Sequence, residues 1–154
     1  MTAALKPAVA TGLGIDTVYL PDFREQLADP ASGFVRGTFT AAELACSESR
    51  PSRDPARHLA ARFAAKEAFL KAWDSAFWGR NPPIEVASLR DIEIVSDAWG
   101  RPSLAFHGAV AVALGPDVAA HVSLSHDGPN AVAVVVLSFT DRPDTSGTQE
   151  VRNP

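Results

Sequence analysis

The pattern of apolar positions is clearest between residues 55 and 76, where large apolar side chains recur at helical spacing: Leu59, Phe63, Leu70 and Trp73. Alanines fill much of the remaining surface of this stretch. A helix that is apolar on most sides is usually packed against several neighbours. The pattern therefore predicts one long, largely buried helix that begins near Pro55 and ends at about Ala76.

Shorter apolar or alternating runs predict five strands, at 9–15, 91–97, 103–106, 121–126 and 131–139. Three further helices are expected. One follows Pro21, one follows a capping box formed by Thr40 and Glu43, and one covers 109–114. Residues 99–102 are predicted to form the turn between the second and third strands. The order of elements predicts an α+β fold, with one long helix packed on a mostly antiparallel sheet.

The composition is that of a globular protein, since 46% of the 154 residues are hydrophobic and 21% are charged. We expect an N-terminal leader at 1–10, a single domain at 11–139 and a polar, disordered tail at 140–154. The net charge of -4 argues against a nucleic-acid partner. No apolar run approaches the ~20 residues that a membrane span needs. Cys46 is the only cysteine, so no intrachain disulfide forms, and a cytoplasmic location is predicted.

Charged residues on the long helix are the first candidates for chemistry. Lys66 falls inside the apolar stripe, and Glu67 lies on its edge. A charge in such a position is costly unless it is paired or bound to an ion. One explanation is structural: Lys66 extends its ammonium group to solvent, and Glu67 pairs with Lys71 at i,i+4. The other explanation is that these charges belong to a functional site.

Asp16 is a second candidate, because it is predicted to end the first strand. It is either an ordinary turn residue or a carboxylate displayed at the mouth of the strand. Asp16 and Glu67 together could hold a hard cation, since Mg²⁺ prefers one or two carboxylates and takes its other ligands from phosphate and water. The histidines lack zinc-site spacing. Ser123 and Ser125 lack the strand–turn–helix context of a hydrolase nucleophile, so a serine hydrolase is excluded.

Four arginines form a third group of candidates: Arg53, Arg57, Arg62 and Arg101. The planar guanidinium group suits phosphate because it makes paired hydrogen bonds. Each arginine taken singly is more often a solvated surface residue than a phosphate ligand. On the residues alone, both interpretations stay open.

Six segments between about Gly12 and Leu137 together resemble the holo-acyl-carrier-protein synthases, in particular those of actinobacteria. They are GID at 14–16, FTAAE at 39–43, RFAAKEAFLKA at 62–72, DIEI at 91–94, GRP at 100–102 and HVSLSH at 121–126. The segments occur in the family's order and spacing. Their combination is specific, whereas any one of them alone would be weak.

The resemblance implies a 4'-phosphopantetheinyl transferase fold and activity. Such an enzyme moves 4'-phosphopantetheine from coenzyme A to a serine of an acyl carrier protein, or of a carrier domain of a fatty acid synthase, and releases adenosine 3',5'-bisphosphate. By the family's motifs, Asp16 and Glu67 would bind Mg²⁺, and Glu67 and Lys71 would be catalytic. The coenzyme A site would be lined by Arg53, Arg62, Gly100, Arg101, Pro102, Ser125 and His126. The resemblance also implies a homotrimer with active sites between subunits.

Two positions depart from the family's pattern. Many relatives carry an arginine about six residues after the motif aspartate, where it meets the acidic carrier protein, and this position is Asp22 here. We therefore expect a less acidic carrier. Trp99 stands where the family more often has a polar residue, so the contacts on the adenine side are expected to differ.

Two other functions remain open on the residues alone. One is a small trimeric module that binds without catalysis, although such a module has no need for Asp16, Glu67 and Lys71 together. The other is a Mg²⁺-dependent phosphate enzyme such as a pyrophosphohydrolase. That enzyme would need more metal-binding carboxylates than can be placed at a site from the sequence.

Overall fold

The structure, a computed structural model, describes residues 9–49, 54–79, 81, 85 and 88–139. The predicted tail and most of the predicted leader lie outside these residues. In chain order, the elements within them are β1 (Val9–Tyr19), α1 (Leu20–Ala28), α2 (Phe34–Thr38), α3 (Ala41–Glu48), α4 (Pro55–Ala76), a 3₁₀ turn (Leu89–Asp91), β2 (Ile92–Ser96), β3 (Pro102–Phe106), α5 (Gly108–Leu114), β4 (Val118–Asp127) and β5 (Asn130–Phe139). None of the described helices is long and apolar enough to cross a membrane.

The strands form two antiparallel sheets. β5 lies between β1 and β4 in a three-stranded sheet, and β2 and β3 form a separate hairpin. Helix α4 packs along β1 and β5 and also contacts β2 and β4, so the core lies between this helix and the larger sheet. The arrangement confirms the predicted α+β fold, with the difference that the strands divide into two sheets. Helix α4 has the predicted bounds.

Strand β1 continues past Asp16, which pairs with Ala133 inside the β1–β5 ladder. The prediction that Asp16 ends the strand is therefore wrong. The strand continues because its alternation is kept: Gly12, Gly14, Asp16 and Val18 lie on the same face, and Val18 is buried. Strand residues therefore precede and follow Asp16 along β1. Its backbone is fixed more firmly by the pairing with β5 than it would be in a turn.

The capping box predicted for α3 is confirmed. The Thr40 hydroxyl accepts a hydrogen bond from the Glu43 amide at 3.2 Å, and Glu43 Oε2 accepts one from the Thr40 amide at 2.9 Å. The short helix α2 was not predicted, because Gly33 and Gly37 weaken the helical pattern. Gly33 provides the left-handed backbone conformation, with φ of 66°, from which α2 begins.

Gly12 and Gly14 let β1 lie directly against the backbone of α4. A Cβ atom at Gly14 would collide with the Ala68 carbonyl oxygen and would lie 2.6 Å from the Ala72 amide nitrogen. A Cβ atom at Gly12 would collide with the Ala72 carbonyl oxygen. Backbone atoms cannot swing away as side chains do. The two glycines therefore set the distance between β1 and α4, and Asp16 follows on the same face of β1.

Lys66 is fully buried and forms the charged centre of the core. Its ammonium group donates to Glu43 Oε2 at 2.8 Å, to the Thr38 carbonyl at 2.8 Å and to the Leu89 carbonyl at 3.0 Å. Glu43 Oε1 accepts from the Ile94 amide at 2.9 Å. Burial lowers the pKa of Lys66, and the Glu43 carboxylate opposes that shift. The explanation in which Lys66 reaches solvent is therefore wrong.

Gly14→Ala is expected to lower the free energy of unfolding by about 1–3 kcal/mol, because the added methyl group overlaps the backbone of α4. Urea denaturation measures this loss. Gly37→Ala is the matched control, since nothing lies within 4 Å of its added Cβ. In helix α2 this control should be neutral or more stable by up to about 1 kcal/mol. A Gly14→Ala protein as stable as the wild type would contradict the close approach of β1 to α4.

Lys66→Met is expected to cost about 3–5 kcal/mol in unfolding free energy, because it leaves the buried Glu43 carboxylate without its counter-charge. Combining it with Glu43→Gln should cost less than the sum of the two single changes, since the double variant buries no charge. Chemical denaturation of the three variants completes the cycle. Additive losses would show that the two groups do not depend on each other.

Candidate active site

Two polar regions lie next to α4. The first, the carboxylate site, consists of Asp16 on β1 and of Glu67 and Lys71 on α4. The second, the hairpin groove, is a cavity of about 400 Å³ bounded by the N-terminal half of α4, the β2–β3 hairpin and the end of β4. Of the site residues predicted from the sequence, the two regions contain all but one of those that the structure describes.

In the carboxylate site, Lys71 bridges from α4 to β1. Its Nζ donates to Asp16 Oδ1 at 2.7 Å and to the Ile15 carbonyl at 3.0 Å. The Asp16 side chain is largely buried, whereas half of the Lys71 side chain is exposed. The alternative i,i+4 pair between Glu67 and Lys71 does not form, and Glu67 has no hydrogen-bond or ion-pair partner among the described residues.

Glu67 is half-buried, and its environment disfavours a negative charge. Burial raises the pKa of Glu67, the nearby Asp16 carboxylate raises it further, and Lys71 opposes both effects. Two carboxylates in such a place are stabilised by a cation between them. Within the described ranges, no three or more His, Cys, Asp or Glu side chains lie together in a way that could hold a metal ion. A pair of carboxylates nevertheless fits Mg²⁺, which takes its remaining ligands from phosphate oxygens and water.

The hairpin groove brings together five residues that the resemblance assigns to coenzyme A: Arg62, Gly100, Pro102, Ser125 and His126. Its other walls come from residues that the sequence did not single out: His58, Ala61, Ile94, Ser96 and Leu124. His58 precedes Arg62 by one helical turn, and this spacing is the signal that could have identified it. Ile94 and Ser96 alternate on β2 and carried no comparable signal.

Arg62 is a buried cation in the wall of the groove, with only 4% of its surface exposed. Its guanidinium group donates to the His58 carbonyl and to the Cys46 sulfur, each at 3.2 Å. Its Nε is buried without a hydrogen-bond partner in the described part of the chain. A buried donor without a partner is costly. An anion that enters the groove would supply both the missing acceptor and a counter-charge.

Among the described residues assigned to coenzyme A, Arg101 alone does not line the groove. Arg53 lies outside the described residues. The Arg101 side chain turns away from the cavity: its Nε binds Asp97 Oδ2 at 2.6 Å, and its guanidinium carbon lies 4.9 Å from the centre of the Trp99 ring. Gly100 and Pro102, which precede and follow Arg101 in the chain, do line the groove. The i,i+4 charge pair with Asp97 explains this orientation.

The two regions lie on different sides of α4. Arg62 and Glu67 are five residues apart, which separates them by about 140° around the helix axis and by about 7.5 Å along it. A second cavity of about 210 Å³ adjoins Asp16, and none of its lining residues lines the hairpin groove. Within one chain, the carboxylate site and the groove therefore open in different directions.

The chain matches known proteins over most of its length. The sequence model of the 4'-phosphopantetheinyl transferase superfamily matches residues 12–135. A holo-[acyl-carrier-protein] synthase of Nocardia farcinica is 48% identical over 126 residues, covering 82% of this chain and 86% of that protein. The Mycobacterium tuberculosis protein of the same name is 47% identical and is covered to 95%.

Solved structures match over a similar length. A structure described as a Chronobacterium ammoniagenes ACPS–CoA complex superposes with a TM-score of 0.76 and 39% identity, covering 84% of this chain and 98% of that one. The acyl carrier protein synthase of Mycobacterium tuberculosis gives a TM-score of 0.68 and 44% identity, covering 85% and 99%. These matches confirm the resemblance inferred from the six sequence segments, and the chain belongs to the 4'-phosphopantetheinyl transferase superfamily.

Proposed function

We propose that this protein is a holo-acyl-carrier-protein synthase, which transfers 4'-phosphopantetheine from coenzyme A to a serine of an apo acyl carrier protein and releases adenosine 3',5'-bisphosphate. The observation that carries the proposal is the buried Arg62 guanidinium with an unpartnered Nε in a groove large enough for a nucleotide. The names of the relatives and the coenzyme A complex of a neighbour support the same reaction.

The hairpin groove is proposed to hold the nucleotide part of coenzyme A. Arg62 would bind a phosphate through its unpartnered Nε, and the exposed Ser125 and His126 of β4 line the same groove. Gly100 has no side chain, which lets a ligand approach the hairpin backbone closely. Arg53 stays a candidate for a further phosphate contact, whereas Arg101, bound to Asp97, would contribute to coenzyme A binding from the rim of the groove.

Asp16 and Glu67 are proposed to hold Mg²⁺. When bound there, the ion would draw charge from the phosphates of coenzyme A and help to orient them. The fit rests on the proximity of two carboxylates that otherwise repel each other. Lys71 already supplies a positive charge to Asp16, and its half-exposed side chain has room to turn toward a phosphate.

The chain's own groups account for the remaining chemistry. The serine hydroxyl of the carrier attacks the phosphate next to pantetheine, and the serine must lose its proton. Glu67 is proposed to accept that proton, directly or through a water molecule, because it has no competing hydrogen-bond partner among the described residues. Lys71 is proposed to neutralise the charge that develops on the departing adenosine 3',5'-bisphosphate.

A complete site is proposed to form between subunits of a homotrimer. A single coenzyme A molecule does not easily reach both Arg62 and Glu67 of one chain, because they lie on different sides of α4. The outer face of the larger sheet offers a surface for assembly, since Leu13 and Ile15 are more than half exposed there. Valines of β5 continue this face: Val136 and Val134 pair with Leu13 and Ile15 in the ladder, and Val132 pairs with Thr17.

The acceptor is proposed to be a weakly acidic carrier, such as a carrier domain of a fatty acid synthase, and the reaction is proposed to occur in the cytoplasm. Helix α1 carries Asp22, and its one arginine, Arg24, is already bound to Asp54 at 2.8 and 3.0 Å. The helix therefore has no free positive charge for a strongly acidic partner. The proposed single domain, at 11–139, contains every residue assigned to the site.

The first test is intact-mass spectrometry of apo carrier proteins after incubation with this protein, coenzyme A and Mg²⁺. We expect a mass gain equal to phosphopantetheine, which a chelator abolishes. Glu67→Gln should slow transfer by about 10²–10⁴-fold, because it removes a metal ligand and a proton acceptor. Glu48→Gln, at an exposed position on α3, is the matched control and should react normally.

Two results would contradict the proposed function and favour another one. Coenzyme A binding without a mass gain on any free or synthase-embedded carrier would favour a binding module. Cleavage of coenzyme A without an adduct would favour a pyrophosphohydrolase.

A second test asks whether the two regions act in trans. We expect Glu67→Gln and His126→Ala each to be poorly active alone, and a mixed assembly of the two to regain up to about one quarter of wild-type activity, because some interfaces combine two intact halves. Refolding equal amounts of the two chains together, followed by the mass assay, measures this. Mixed assemblies no more active than the average of the two variants would show that each chain holds its own complete site.

A further inference from the structure

Trp99 is a large aromatic side chain that the proposed reaction does not use. It lies in the turn between β2 and β3, and 81% of its surface is exposed. An exposed tryptophan gains nothing for the core, whereas flat aromatic rings with one open face commonly bind ligands. The exposure of Trp99 therefore suggests that its ring contacts a bound ligand.

The turn holds the Trp99 ring in a defined place. Asp97 Oδ1 accepts hydrogen bonds from the backbone amides of Trp99 and Arg101, both at 2.9 Å. Asp97 Oδ2 binds Arg101 Nε at 2.6 Å, and the Arg101 guanidinium group lies over the indole ring at 4.9 Å. Arg101 thus covers one face of the ring and leaves the other face accessible. A ring fixed in advance loses little conformational entropy when a ligand binds.

The ring stands at the rim of the hairpin groove. Gly100 and Pro102, on either side of Arg101, line the cavity, whereas Trp99 and Arg101 do not. The lining residues include the cation Arg62 but no Phe, Tyr or Trp. The groove can therefore recognise phosphate, but it contains no large aromatic surface for a planar base.

The geometry points to Trp99 as the stacking surface for the adenine ring of coenzyme A, with Arg101 and Asp97 as positioning residues. This inference rests on the proposed function, which places a nucleotide in the groove. Stacking of a base on an aromatic ring is a general and energetically sufficient mode of binding. It also explains why a tryptophan stands where the family more often has a polar residue. The Trp99 ring would bind the base by stacking, whereas a polar side chain would bind it through a hydrogen bond.

The test compares two probes by calorimetry: adenosine 3',5'-bisphosphate and ribose 3,5-bisphosphate, which lacks the base. Trp99→Ala should bind adenosine 3',5'-bisphosphate at least about fivefold more weakly and should bind the base-free probe as the wild type does. Trp99→Phe should recover most of the lost affinity, because it keeps a ring. Trp78→Ala is the matched control, since Trp78 is 90% exposed and does not line the groove.

The transfer reaction supplies an independent readout. Trp99→Ala should raise the KM for coenzyme A and leave kcat unchanged, because stacking on a remote base contributes equally before and during the reaction. Equal losses for both probes, no loss for adenosine 3',5'-bisphosphate, or a changed oligomeric mass of Trp99→Ala would overturn the inference. If the wild type binds neither probe, the proposed function fails as well, whereas wild-type binding without a Trp99 effect overturns only this inference.

Discussion

An ammonium group and a carboxylate, both withdrawn from water, meet where α4, α3 and the β2–β3 hairpin converge. Lys66 binds the end of α2, the beginning of α3 and the turn before β2, while Glu43 holds the β2 backbone at Ile94. A buried charge pair tolerates little displacement, because each group would be left with an uncompensated charge. This contact therefore fixes the hairpin against α4, and the hairpin forms one wall of the groove.

Helix α4 carries residues of both polar regions, and its buried lysine separates them. Arg62 precedes Lys66 by one turn and faces the groove, whereas Glu67 follows it and faces β1. One helix thereby sets the distance between Arg62, the proposed phosphate ligand, and Glu67, the proposed catalytic carboxylate. Because the helix holds the two regions on different sides, assembly is part of the proposed function.

Local features were predictable from the sequence, and long-range ones were not. The bounds of α4 and the Thr40–Glu43 capping box follow from periodicity and from contacts within one turn. The partner of Lys66 lies 23 residues away on another helix, so no local pattern could identify Glu43. The sequence wrongly predicts that Asp16 ends a strand, because a single polar residue resembles a turn signal. Only the pairing of Asp16 with Ala133 on β5 shows that the strand continues. The six segments that resembled a family provided the information that periodicity lacked.

The two glycines of β1 have a consequence for how this site tolerates change. Because the strand touches the helix backbone at Gly12 and Gly14, the spacing of Asp16 and Glu67 is a property of main chain rather than of side-chain packing. Substitutions elsewhere in the core can therefore weaken the protein without altering the separation of its carboxylates. Residues of the hairpin and of the groove can therefore change, in evolution or by design, while the distance between the backbones that carry Asp16 and Glu67 is kept.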